Sequence, residues 1–236
     1  MVNSHSFAKG LDIIIPVYNE IKISCLFELF DKNVKTNFKV IICYDFDDDK
    51  TLVSYNPTDY SFKIIKIKNK GTGPNSAIIS GLIYSNAEAI IFYTADDLLN
   101  TEVIDKMYSY FIYGNDVVVG SRFMKGGEMK NPPLIKGFLA KCASLSLYYL
   151  SSIPVKDSTN LLKLFSKKYL NSILIESNKG FAFSMELLVK AKRLRLKIAE
   201  LPVRWEERAY GSSRFRISKW ITEYLRWYLY AMATFW

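Results

Sequence analysis

The 236 residues are half hydrophobic and carry a formal net charge of +9, enough apolar material for one large α/β domain with a buried core. A single histidine, His5, excludes Ser-His-Asp, Cys-His and histidine-metal chemistry, and three scattered cysteines (Cys25, Cys43, Cys142) exclude a disulfide framework and read as reduced thiols of a cytosolic protein. Residues 190–236 hold eleven Lys or Arg against four Glu, so the positive excess is local and points to a specific anionic surface.

The first ten residues have no signal-peptide core, and no uncharged apolar run reaches the ~18 residues of a membrane span. Residues 11–17 predict a buried strand, followed by an exit loop Tyr18-Asn-Glu20 and a helix to about residue 35. Residues 38–44 predict a second strand that runs into Asp45-Phe-Asp-Asp-Asp49, and residues 62–67 a third. Gly71-Thr-Gly-Pro74 opens a helix with Pro in its first turn. It lacks the third glycine of a dinucleotide loop.

The next strand, Ile90-Ile-Phe-Tyr, runs into Asp96 and Asp97. Carboxylates at the C-terminal end of a buried strand lie where an open α/β sheet binds its ligand. They are suited to holding Mg²⁺ or Mn²⁺ on a diphosphate; capping a helix is the alternative, and the residues alone leave both open. A helix over 101–113 and a strand over 116–121 follow, then a loop over 123–133, a helix over 134–150, a strand over 160–165, a helix over 184–194 and a strand over 198–205. This alternation predicts a mostly parallel sheet flanked by helices, with residues 1–236 forming one domain.

The last segment, 214–236, has apolar residues at Ile217, Trp220, Ile221, Tyr224, Leu225, Tyr228 and Leu229, which is helical spacing. Arg214, Arg216, Lys219 and Arg226 are interspersed, and Trp220, Trp227 and Trp236 add bulk. Such a basic amphipathic helix is expected to lie in a membrane interface; the alternative is an ordinary helix packed on the core. Nucleic acid is not expected as a partner, because the acidic loop 45–49 repels a phosphate backbone.

In order along the chain, Ile15-Pro-Val-Tyr-Asn-Glu20, Tyr44-Asp-Phe-Asp-Asp-Asp-Lys-Thr51, Lys70-Gly-Thr-Gly-Pro-Asn75, Thr94-Ala-Asp96, Gly120-Ser-Arg122, Asp157-Ser-Thr-Asn160, Phe183-Ser-Met-Glu186 and Arg208-Ala-Tyr-Gly-Ser-Ser-Arg214 form a series. The series resembles the GT-A-fold family 2 glycosyltransferases, and within them the dolichol- and polyprenyl-phosphate mannosyltransferase branch. The resemblance implies a Rossmann-like GT-A domain that moves a hexose, with inversion, from a GDP- or UDP-sugar to a polyprenyl phosphate, as a peripheral enzyme on the cytoplasmic membrane face. A glycan or other hydroxyl acceptor is the alternative.

By the same resemblance, Pro16, Tyr18, Glu20 and Asp45 hold the base and ribose, and Thr94, Ala95, Asp96 and Arg122 complete the nucleotide-sugar site. Asp96 with Asp97 holds the metal. Arg122, Arg208 and Arg214 surround phosphates of donor or acceptor, and Asp157 and Glu186 are the candidate bases for a hydroxyl acceptor. The sequence departs from the family pattern at Thr94, which replaces the first Asp of Asp-x-Asp, at Tyr44 and Phe46 in the acidic stretch, and at Arg214, where Lys is usual. Thr94 keeps a non-catalytic nucleotide-sugar or membrane-binding module in view. A nucleotidyltransferase would need a Gly- and Arg-rich loop after the first strand, and Tyr18-Asn-Glu20 is not one.

Overall fold

In the computed structural model, which describes residues 8–206 and 217–233, the apolar runs become strands whose successive side chains serve two different cores. The strands are β1 (Ala8–Pro16), β2 (Phe38–Tyr44), β3 (Lys63–Lys68), β4 (Ala87–Phe92), β5 (Val117–Ser121), β6 (Glu128–Lys130), β7 (Lys163–Ser166), β8 (Ile198–Pro202) and β9 (Arg204–Glu206). The helices are α1 (Ile23–Asn33), α2 (Gly73–Tyr84), α3 (Ile104–Ile112), α4 (Leu134–Leu150), α5 (Lys167–Asn171), α6 (Ala182–Arg193) and α7 (Ile217–Ala233). Seven strands form one sheet in the order β3-β2-β1-β4-β7-β5-β8, and β6 pairs with β9.

Alternation splits the strands. Ile13, Ile15, Val40, Ile42, Ile91, Val118 and Leu164 face a core closed by Phe27 and Phe30 of α1 and Met107 of α3. Ile14, Ile41, Ile90, Phe92, Val119 and Phe165 face a second core, closed by Ile78 of α2, Phe183 and Leu187 of α6 and Trp227 of α7. A sheet covered on both faces explains why these strands read as continuous apolar runs. Packing is tight enough that a Cβ on Gly81 of α2 would lie 2.6 Å from Ile14 Cγ2.

All pairings in the main sheet are parallel except those of β7, which runs antiparallel to β4 and β5. This reversal positions the site. The C-terminal ends of β1, β2, β4 and β5 share one edge, and β7 brings its N-terminal end, with residues 157–162, to that same edge.

Three expectations are corrected. The segment 123–133 is not all loop, because β6 pairs in parallel with β9. The strand expected over 198–205 breaks at Val203, whose N–H reaches Ser121 O (3.1 Å), and divides into β8 and β9. β7 starts at Lys163 rather than 160, because Asn160 is held in a turn by Asp157 Oδ1 (3.1 Å) and donates from Nδ2 to Gly120 O (2.7 Å).

α7 takes the core-packed alternative on one face. Trp227 is 1% exposed, and its Nε1 donates to Ser177 Oγ (2.7 Å). It is therefore a core anchor and not an interfacial indole. The opposite face still carries an exposed stripe, Ile221, Leu225 and Leu229. The side chains of Ile217, Lys219 and Trp220, and all of Arg208, Arg214, Arg216 and Trp236, lie outside the described residues.

Candidate active site

The first part of the site is the exit of β1. Pro16 ends the strand half-buried, and Tyr18 is exposed and meets Phe46 edge-on at 5.1 Å. Asn19 adopts a positive φ of 55°. Its N–H donates to Asp49 Oδ1 (2.9 Å), and its own Oδ1 accepts from Lys50 N–H (2.9 Å). Glu20 N–H donates to Thr51 Oγ1 (2.8 Å). The β1 and β2 exit loops are thus fastened together beneath an aromatic pair.

The four acids after β2 therefore divide. Asp49 is buried and holds Asn19 and Thr51 N–H groups. Asp47 pairs with Lys68, and Asp48 is exposed. Asp45 accepts from Asn69 Nδ2 (2.7 Å) and from Gly73 N–H (2.9 Å), so it braces the glycine loop at the start of α2. Gly73 turns there at φ +84°, a conformation that favours glycine. The braces Asp49, Thr51 and Asn69 were not singled out from the sequence, although Asp followed two residues later by Thr is the signal of a capped turn.

The second part is the end of β4. Thr94 is half-buried, Ala95 is buried and Asp96 is exposed. Asp97 turns away: its Oδ1 accepts from Leu99 N–H (3.0 Å), Asn100 N–H (3.2 Å) and Asn100 Nδ2 (2.9 Å). Burial, offset in part by the Asn100 bonds, pushes its carboxyl up to about 6. Asn100 in turn donates to Arg204 O (2.7 Å) and accepts from Arg204 N–H (2.9 Å). Asp97 thus holds the turn and, through Asn100, ties β4 to β9.

Among the described residues no three His, Cys, Asp or Glu gather as a metal cage. One exposed carboxylate, Asp96, suits a hard divalent cation held mainly by a ligand's phosphate oxygens, the usual mode for Mg²⁺.

The third part joins β5 to the turn before β7. Arg122 Nε donates to Asp157 Oδ2 (2.7 Å), and Nη2 donates to Asp157 Oδ1 (2.9 Å) and Thr159 Oγ1 (2.8 Å). The Arg122 backbone N–H adds a bond to Asp157 Oδ2 (3.0 Å), and the guanidinium lies 5.0 Å from the Phe123 ring. Asp157 is fully buried and also accepts from Asn160 N–H (3.1 Å). Burial would raise its carboxyl, but the Arg122 guanidinium and its bonds hold it below the usual carboxylate range. A saturated, ionised and buried carboxylate has no lone pair to offer an acceptor hydroxyl. Asp157 orients Arg122.

Glu186 is also engaged by its surroundings. It is fully buried in α6 and accepts from Glu176 N–H (2.7 Å), Ser177 N–H (2.8 Å) and Lys190 Nζ (2.7 Å). It secures the 174–177 loop and, through Ser177, Trp227 of α7. The structure thus brings together Arg122 with Asp157, and Asp45 with the glycine loop. Arg208 and Arg214 lie outside the described residues.

The sequence matches the family described as Glycosyl transferase family 2 over residues 12–186. It is 29% identical over 222 residues to a dolichol-phosphate mannosyltransferase of Pyrococcus furiosus, covering 92% of this chain and 62% of that one. It is 25% identical over 225 residues to a dolichyl-phosphate beta-glucosyltransferase of Trichomonas vaginalis, covering 87% and 66%. The chain thus spans less than two-thirds of either relative's length. Its fold superposes on glucosyl-3-phosphoglycerate synthase of Mycobacterium tuberculosis, crystallised with Mn²⁺, UDP and glucosyl-3-phosphoglycerate, at a TM-score of 0.68 and 14% identity, covering 94% and 80%. The same enzyme with Mg²⁺ and UDP gives a TM-score of 0.64 at 14% identity, covering 95% and 78%.

Proposed function

The chain belongs to glycosyl transferase family 2, and we propose that it moves a hexose from a nucleotide-sugar (GDP-mannose or a UDP-sugar) to a polyprenyl phosphate at the cytoplasmic face of a membrane, inverting the anomeric centre. The observation that carries this reading is the state of the two candidate bases. Asp157 is buried with both oxygens taken by Arg122 and its own turn, and Glu186 is buried against Lys190 and the 176–177 backbone. A hydroxyl acceptor needs a base to remove its proton. A lipid phosphate, with a second pKa of ~6, is already anionic and needs only orientation. The dolichyl-phosphate acceptors named for the two relatives point the same way.

In this reading Tyr18 and Phe46 pack the base and ribose against Pro16, with Glu20 accepting from ribose hydroxyls. Asp45 and Gly73 hold the loop that closes over the nucleotide. Asp96, with Thr94 and Ala95, marks where a divalent cation, Mg²⁺ or Mn²⁺, would be held, and such a cation would offset the charge growing on a leaving diphosphate. Arg122, aimed by Asp157 and Thr159, presents its remaining guanidinium N–H groups to a phosphate, joined by Arg208 and Arg214.

Membrane contact rests on surface chemistry. Leu134, Ile135 and Phe138 of α4 are exposed, as are Ile221, Leu225 and Leu229 of α7. Among the described residues no helix is long and apolar enough to cross a bilayer. In this reading α4 and α7 lie in the interface.

The test is transfer of labelled sugar from a panel of GDP- and UDP-sugars to a short polyprenyl phosphate, with Mn²⁺ or EDTA, in wild type and Asp96→Ala. Metal-dependent transfer lost in the variant supports the reading. Metal-independent transfer that survives Asp96→Ala overturns the role of Asp96. Transfer to a glycan or other hydroxyl acceptor, with none to lipid, sinks the acceptor proposal.

A further inference from the structure

Lys163 is a lysine in the middle of the sheet. It lies on β7, opposite Phe92 of β4 and Val119 of β5, with no exposed surface. Its Nζ donates to Ser158 O (3.2 Å), Asn160 O and Ser184 Oγ (2.6 Å). Ser184 Oγ of α6 donates in turn to Asn160 O (2.9 Å). All three acceptors are neutral oxygens. The charged groups that face Lys163 are the Asp157 carboxylate and the Arg122 guanidinium, both from the turn and strand end beside it, and Ser184, which α6 presents to it, is not charged.

An ammonium buried against neutral oxygens costs stability, and a methionine of similar length would fill the space without that cost. Burial pushes the Lys163 ammonium down to about 7, with Asp157 opposing the shift and Arg122 adding to it. Stability therefore does not explain this residue. What it grips does: Ser158 and Asn160 flank Thr159, and Asp157 and Thr159 hold Arg122.

We propose that Lys163 is a positioning residue, whose ammonium clamps the 158–160 turn to α6 and so fixes the Asp157–Thr159 cradle that aims Arg122 into the cleft. This rests on the transferase reading for its kinetic consequence, but not for its structural one. With the clamp released, the turn loses two backbone anchors at once and the guanidinium loses its single orientation. The sequence alone gave no sign of this, because a lysine within an apolar strand reads as an edge or surface position.

The test uses the full chain with Lys163→Met, and Ser184→Ala as a milder variant that removes one acceptor. Three quantities are followed: Tm from pH 6 to pH 10, kcat and donor KM against pH, and the Arg122 Nε–H resonance in a ¹H–¹⁵N spectrum, assigned with Arg122→Lys. A lysine with a lowered folded pKa contributes stability that is full above its unfolded pKa of ~10.4 and is lost as pH falls towards about 7. Lys163→Met is therefore expected to match or exceed the wild-type Tm at pH 6, with the gain shrinking towards pH 10.

Its kcat is expected to fall by ~10-fold or more with donor KM within ~2-fold, as for an interaction expressed in the transition state. Wild-type kcat should decline as pH rises through about 7 and 8 while the variant's pH profile lacks that limb. The Arg122 Nε–H signal should broaden or move in both variants. A lowered Tm at pH 6 together with wild-type kcat and an unmoved Arg122 signal would overturn the proposal and make Lys163 a fold residue. If wild type transfers no sugar to lipid, the lipid-acceptor reading fails, and the Tm and Arg122 signals still decide the role of Lys163.

Discussion

Replacing Asp157 by Asn isolates the ion pair that joins the end of β5 to the turn before β7. Arg122 is 8% exposed at its side chain and Asp157 not at all, so the guanidinium would be left with an amide in place of its counter-charge. Asn keeps one acceptor but turns an NH₂ towards Nε or Nη2, which both donate. Breaking a buried pair by removing one partner costs ~3–5 kcal/mol, because the surviving charge stays buried. For a chain of this length each kcal/mol is worth ~2–4 °C, so Tm should fall by roughly 6–20 °C by circular dichroism.

The pH dependence carries its own sign. A carboxylate with a depressed folded pKa contributes stability that is present above the unfolded value of ~3.9 and is lost as pH falls through the folded one. The Tm gap between wild type and Asp157→Asn should thus stay constant from pH 8 to pH 5 and close only in stronger acid. A second replacement, Arg122→Met with Asp157→Leu, should recover much of the loss. A Tm within ~2 °C of wild type for Asp157→Asn, a shift worth under ~1 kcal/mol, would refute the view that this pair holds the site together.

Asp97 should behave in the opposite sense. Its folded carboxyl is raised to about 6, so wild type should lose stability as pH rises from 4 to 6, and Asp97→Asn should lack that slope in thermal melts across the interval. Trp227→Ala should cost ~3–5 kcal/mol in urea unfolding, since a 1%-exposed indole bonded to Ser177 anchors α7. Phe138, 69% exposed on α4, predicts the reverse: Phe138→Asp should leave Tm within ~2 °C but reduce co-sedimentation with anionic vesicles, whereas unchanged vesicle binding would remove α4 from the membrane contact.

Much of the fold was legible because burial on both faces writes itself as apolar runs. The 38–44 strand and the 134–150 helix have the bounds the sequence suggested. What escaped was set by partners distant in sequence. β6 is three residues long and exists because Glu128, Met129 and Lys130 meet Arg204, Trp205 and Glu206. At the candidate site the residue types were legible but the contacts they make were not. Asp96 and Asp97 are neighbours of one residue type, yet one is exposed and the other is folded into the turn by Leu99 and Asn100. Asp157 looked like a base until Arg122, 35 residues away, was seen to take both its oxygens. Lys163 left no signal as a site residue, because its importance lies in what it braces.

The central claim is that the acceptor arrives already ionised. It is tested most directly by comparing a short polyprenyl phosphate with the matched polyprenol, at equal concentration and with the same donor. The account predicts transfer to the phosphate and none to the alcohol, with an acid limb near the phosphate's own second pKa of ~6. Comparable transfer to the polyprenol would contradict it, since that reaction needs a base to take the hydroxyl proton.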